Sequence, residues 1–338
     1  MSEFDNVLNG AAKKAEQTLP EVKFDDVAEL DQIEDTHRED GGKKSYAEVM
    51  AEKKAKCYAM IDDACLEVMS SSEKLNEYLM VQSSFERYSL NNKLLIFAQH
   101  PGASKLKDFD GWKKAGAYVK KGAESIMILE PSPYKGTDGK QHTGYNAKHV
   151  FDIEDVNLPP EAQMEEKTHE PKKLVEALVH DSPVPIRKAE QNLGDEFAVY
   201  DAQNKVIYFK PSLEFSEVFP AIAKALAHAE MAKDNTNYRV NDHEFKARCS
   251  ANAVAQKYGV DLHTVSIHAI PPKYASLEAE DVKKELGAVH DNVKTITARM
   301  AEVLEKARDK ERDKEQDKEQ AKPQTQTQNR GYRNREGR

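Results

Sequence analysis

The chain has 338 residues, 39% of them hydrophobic and 32% charged, with a mean hydropathy of -0.78 and a formal net charge of -9. That length suits two ordinary domains with polar tails, and Cys57, Cys65 and Cys249 are too few and too scattered for a disulfide framework or a cysteine zinc knuckle, so they read as reduced thiols. No apolar run approaches the roughly eighteen residues that span a bilayer, and the N-terminus has no basic region leading into an apolar one, so a cytoplasmic protein without a membrane partner is expected.

Residues 1–44 lack sustained periodicity and read as an acidic flexible arm, with twelve acids and four bases up to residue 42. Ser45 followed three residues later by Glu48 forms a capping box, and the apolar spacing after it predicts a helix over 45–69. "SEKLNEYLMVQSSF" and "SLNNKLLIFAQH" predict two more, the latter stopping at Pro101. "FDGWKKAG" reads as a short helix or turn, "AESIMILEP" as a strand ended by proline, "SPYKGTDGKQHTGYN" as a loop, and "HVFDIEDV" as another strand. The paired prolines and patternless charges of 157–172 suggest a linker. Beyond it come a helix at "KKLVEALVH", a hairpin turning at "DAQN", the long helix around "AIAKALAHAEMAKD", and a helix closed by Gly259. From 276 a charged helix runs into "RDKERDKEQDKEQ", whose four-residue repeat drifts around a helix and sustains no apolar seam, so a solvated helix and tail is expected.

Charge is unevenly placed. Arg87, Lys93, Lys105, Lys107, Lys113, Lys114, Lys120 and Lys121 stand against only Asp108 and Asp110, a local net of +6. Phe85, Tyr88, Phe97, Phe109, Trp112 (the sole tryptophan) and Tyr118 interleave with these bases. Cations along phosphates and flat rings against bases are what hold single-stranded nucleic acid. The alternative is that the rings are core and the lysines solvated, which suits Phe85, Phe97 and Phe109.

The order of residues adds to this. "FERYSLNN", "LLIFAQHP", "FDGWKKAGAYVKKG" and "IMILEP" follow one another without large gaps from Tyr78 to Pro131. The stretch closely resembles the N-terminal domain of ArdC-type antirestriction proteins and their LtrC-like relatives from mobile elements. The resemblance implies single-stranded DNA binding over 45–156 and carries over Arg87, Asn92, Lys93, Trp112, Lys113, Lys120 and Lys121 as contacts. Tyr88, Lys114 and Tyr118 complete the candidate set. Ala117 departs from the family, which often has Arg there.

The same family continues into a zincin-like metallopeptidase domain, and the hairpin-plus-helix order of 173–275 looks like it. A catalytic zinc helix carries H-E-x-x-H, because residues four apart share a face and the Glu serves as general base. With His228 as the second His, Lys224 stands at the first and Ala225 at the glutamate, while the following helix holds Lys246 and Arg248 at likely third-ligand positions. An α+β chain is therefore expected: a DNA-binding domain, a degenerate zincin-like domain without catalytic residues, and charged flexible tails. No cofactor is expected, zinc included. His228, His243 and Glu244 are the residual metal candidates, with Asp242 beside them, although an Asp-His-Glu helix start also suits ordinary capping. By resemblance the protein belongs to mobile-element biology, protecting or escorting single-stranded DNA in conjugative transfer. The alternatives are an active zinc metallopeptidase with a rearranged site and an interaction scaffold binding a protein through its tails or its zincin-like domain.

Overall fold

The computed structural model describes Phe4, residues 45–158 and residues 169–309, with the backbone of the last helix continuing to Gln320. The rest of the acidic arm, most of the expected linker and the C-terminal tail lie outside the described residues. Helix α1 (Tyr46–Val68) opens on the expected capping box: the Glu48 amide donates to Ser45 Oγ at 3.2 Å and the Ser45 amide to Glu48 Oε2 at 2.7 Å. Helices α2 (Ser72–Ser84) and α3 (Leu90–Gln99) each begin at a serine N-cap, Ser71 and Ser89. Tyr78, Leu79, Leu94, Leu95 and Ile96 bury completely between them.

The strands that follow correct the expectation of a loop. Strand β1 (Leu106–Lys107), helix α4 (Phe109–Lys114) and strand β2 (Tyr118–Val119) lead into a long antiparallel hairpin, β3 (Ile126–Lys135) with β4 (Gln141–Asp152). Strand β5 (Val156–Asn157) then pairs with β2. The first sheet has the order β1-β4-β3, so β3 is an edge, and the strand runs straight through Pro131 and Pro133. Register explains why this is allowed. The Gly136 amide donates to the Lys140 carbonyl, which makes even-numbered β3 residues the ladder partners and turns the odd ones outward. Leu129 exchanges two hydrogen bonds of 2.8 and 2.9 Å with the Asn92 amide, and Met127 two of the same lengths with Gln99. The next two outward positions are the prolines, which have no N–H to satisfy.

In the C-terminal half, helix α5 (Pro171–Val179) precedes a three-stranded sheet of β6 (Ile186–Lys188), β7 (Ala198–Asp201) and β8 (Val206–Phe209), ordered β6-β8-β7. The β7–β8 hairpin is the one expected; its turn is pinned by Asp201 Oδ1, which accepts from the Gln203 and Asn204 amides at 2.9 and 3.0 Å. The parallel strand β6 gave no signal in the sequence, being only three residues long. Helix α6 (Phe215–Ala232) is buried on all sides from Val218 to Ala229, as a helix apolar all round must be. It lies over the sheet and against helix α7 (Val240–Lys257), and alanines on both helices permit the close approach. Gly259, at φ +65°, closes α7, with the Val260 amide donating back to the Ala255 carbonyl at 2.9 Å.

A short helix, α8 (Pro272–Ala275), precedes α9 (Ala279–Gln320). The first half of α9 is not tail. Val282, Leu286, Val289, Val293, Ile296, Met300 and Leu304 are buried at spacings of three and four, against α7, α5 and α1. The charged repeat begins only after this seam ends. One contiguous core joins the two halves, and the Asn76 amide donates across them to the Ile267 carbonyl at 3.1 Å.

Candidate nucleic-acid interface and the Lys224 cluster

The basic segment folds into a small lobe built from α4, β2 and β5, with its own satellite core of Trp112, Ala117 and Val156. Asp108 caps α4 by accepting from the Gly111 amide at 2.7 Å. Trp112 is 1% exposed, and its indole N–H donates to the Phe151 carbonyl at 2.9 Å. It therefore supports the lobe from inside and offers no ring face to a ligand. Lys107 places its ammonium 5.2 Å from the same ring, a cation–π contact on the lobe's flank. Ala117 is fully buried in the same core, where a larger side chain would have to displace its neighbours.

What the lobe does expose is Phe109 and Tyr118, together with Lys113, Lys114, Lys120 and Lys121. Lys120 also donates to the Glu154 carbonyl at 2.5 Å, which ties β2 to the turn before β5. Arg87 is exposed in the α2–α3 turn, and Tyr88 is half-buried there, edge-on to Phe85 with ring centroids 5.5 Å apart. Burial raises the Tyr88 phenol; the Lys148 charge opposes that shift and the Asp108 charge adds to it. Asn92 and Lys93 lie elsewhere. Asn92 is the amide that seals β3, and Lys93 is 1% exposed, its Nζ donating to the Gln82 carbonyl at 3.3 Å. Neither presents a surface. Phe109, expected in the core, is 56% exposed. Helical spacing inside a six-residue element is too short a signal to place either ring.

The second arrangement lies where α6, α7 and the loop before β7 converge. Lys224 and His228, one turn apart on α6, share a face; both are buried, with side-chain exposures of 8% and 2%. The Lys224 ammonium donates to Glu196 Oε2 at 2.7 Å and to Glu244 Oε1 at 3.0 Å. Glu244 Oε2 lies 3.0 Å from His228 Nε2, and Arg248 donates to Glu244 Oε1 at 3.2 Å. A carboxylate only accepts, so His228 carries its proton on Nε2, and Nδ1 accepts from the Tyr238 hydroxyl at 2.7 Å. Burial acts to raise the Glu244 carboxyl, but the His228 hydrogen bond and the Lys224 charge more than offset it and hold the group down to about 2. Ala225 is buried and carries nothing.

Of the residual candidates, then, His228 and Glu244 meet, while His243 lies flat on Tyr238 with ring centroids 4.6 Å apart and its buried Nδ1 without a hydrogen-bond partner. Lys246 pairs with Glu285 of α9 at 3.0 Å, away from the cluster. The acid facing His228 is Glu244, which precedes the expected third-ligand positions Lys246 and Arg248 on the same helix. An open groove of about 390 Å³, lined by Glu244, Arg248, Ser266, His268 and Lys273 among others, borders the cluster and reaches solvent. Among the described residues His100, Asp152 and Glu154 also converge, but both Asp152 oxygens accept backbone amides, Oδ2 from Ser104 and Lys105 and Oδ1 from Glu154.

These features define an α+β protein whose N-terminal half carries a lysine-rich lobe on an edge-sealed sheet. Residues 44–175 match the family model described as the N-terminal domain of anti-restriction factor ArdC. Among solved structures the chain is similar to the antirestriction ArdC protein from the R388 plasmid. The metal-free form gives 12% identity and a TM-score of 0.40, covering 64% of this chain and 86% of that one. The Mn(II)-bound form gives 12% and 0.43, covering 64% and 84%. Comparison with curated proteins gives no match.

Proposed function

We propose that this protein binds single-stranded DNA through the lobe of α4 and β2, in an antirestriction role, and that its C-terminal half is a zincin-like domain without hydrolase activity. The observation that carries the reading is the exposure of Tyr118 and Phe109 among Lys113, Lys114, Lys120 and Lys121. Rings and amines on one small surface supply stacking and phosphate contact together, at about 1–3 kcal/mol for each stacked base. The ArdC-type domain supports the antirestriction role. The inert C-terminal half is supported by Lys224, whose ammonium stands between the carboxylates that a metal would need, and by Ala225, which cannot act as a base.

Fluorescence anisotropy with a labelled single-stranded oligonucleotide, repeated across salt, tests the binding. Affinity falling steeply with salt, and a Tyr118→Ala variant weaker by roughly 5- to 150-fold, are expected from the loss of one stacked base. Equal competition by duplex, or no binding at low salt, would remove the proposal. Incubation with a denatured protein substrate should give no cleavage, and metal-dependent cleavage would overturn the second half of it.

A further inference from the structure

The donor set around Lys224 is unusual for a structural ion pair. Two carboxylates on different elements, Glu196 before β7 and Glu244 on α7, both turn toward one buried point, and a histidine sharing the Lys224 face of α6 binds the second of them. Carboxylate and imidazole donors drawn from three elements are what a divalent cation requires. At the point they surround sits an ammonium. The spacing is that of H-E-x-x-H with its first ligand exchanged for lysine. The residues present do not fit a metal, because the ammonium already fills the position and donates to both carboxylates.

We propose that Lys224 is an internal replacement for a metal ion: its ammonium holds Glu196 and Glu244, and through Glu244 it holds His228, as a bound cation would. The inference rests on the zincin-like reading of this half and is independent of DNA binding. Two features of the site follow from it. Arg248 supplies a second positive charge to Glu244, so that two cations face two carboxylates and the cluster is balanced without an ion. Tyr238 still holds the His228 ring from behind at Nδ1, but with its hydroxyl donating, where the outer partner of a metal-bound histidine accepts; the Nε2 proton turned to Glu244 takes the place of the metal bond. The groove beside Glu244 leaves a solvent route to the site.

The test is Lys224→His in the full chain, which places two imidazoles one turn apart beside Glu244. Equilibrium dialysis with Zn²⁺, and visible absorption with Co²⁺, should show one ion per chain bound at least 100-fold more tightly than by the wild type. Adding Glu244→Gln to that variant should weaken binding at least 10-fold. A folded Lys224→His chain that binds zinc no more tightly than the wild type overturns the proposal, as does a wild type that binds one ion equally well. If Lys224→His does not fold, Lys224→Ala is melted with and without Zn²⁺. A rise in melting temperature of several degrees with the ion, absent in the wild type, supports the replacement, and no rise overturns it. Single-stranded DNA affinity measured on the same variants should be unchanged; its absence in all of them would count against the proposed function and leave this inference standing.

Discussion

Replacing Lys93 by methionine should stabilise the protein at neutral pH. The amine is 1% exposed on α3 and donates one hydrogen bond, 3.3 Å long, to the Gln82 carbonyl. Burial pushes it down to about 7, with Glu86 opposing the shift and Lys257 and Lys294 adding to it. A buried amine whose folded pKa lies below its unfolded value favours the unfolded chain, which holds more protons between about 7 and the ordinary 10.5. At about 1.4 kcal/mol per pKa unit, the cost at pH 7 is on the order of 4 kcal/mol. Apolar replacement of buried charges recovers about 1–4 kcal/mol in other proteins, and removal of the hydrogen bond subtracts about 1 kcal/mol. A net gain of up to about 3 kcal/mol is therefore expected for Lys93→Met, because methionine fills nearly the same volume. Urea unfolding followed by circular dichroism at pH 7 and at pH 9.5 measures it. The wild type gains stability as pH rises through this window and the variant does not, so the gap should narrow at the higher pH. A variant less stable than the wild type at pH 7, or a gap of equal size at both, would refute the reasoning. DNA affinity should be untouched, since the side chain does not reach the surface.

Three further outcomes are expected. Changing Lys113, Lys114 and Lys121 together to Ala should weaken single-stranded DNA binding whatever the base sequence; the slope of log affinity against log salt should become shallower by roughly 0.7 for each phosphate no longer neutralised. Trp112→Ala should destabilise the lobe by about 3–5 kcal/mol, visible as an early unfolding transition, because it empties the satellite core. Glu244, held at about 2 against an ordinary 4.5, contributes stability that is fully present above pH 4.5 and lost as pH falls toward 2. Carboxyl NMR titration of the wild type and of Lys224→Met should show this group titrating at higher pH in the variant.

How much can be read from the residues alone depends on how local each cause is. The Ser45–Glu48 capping box, the stop at Pro101, the β7–β8 turn and the Gly259 closure are decided within a few residues, and all four are present where expected. The β3–β4 hairpin is hidden because two prolines mark a strand's end unless that strand is an edge, and an edge is a property of the whole sheet. Burial of Trp112 is hidden by its polar tip, which finds the Phe151 carbonyl 39 residues away in sequence. Glu244 resembles an ordinary capping residue in the sequence, because the register of α7 against α6 is set by alanine packing at a distance. The seam of α9 is written in its apolar spacing, but the charged repeat after it gives the whole segment the composition of a tail.

The sealing of β3 also constrains how the molecule can assemble. From Met127 to Pro133 the strand has no outward amide to spare for an incoming chain: two are held by α3 and two do not exist. The proline half of that protection is permanent, written into the covalent chain. The α3 half lasts only while the helix is docked, so a newly made chain whose α3 has not yet settled exposes two adhesive sites on the apolar start of the strand. Helix docking ahead of contact with other chains thus keeps this edge from pairing, and conditions that loosen α3 would show first as aggregation, before any loss of the lobe that carries the lysines.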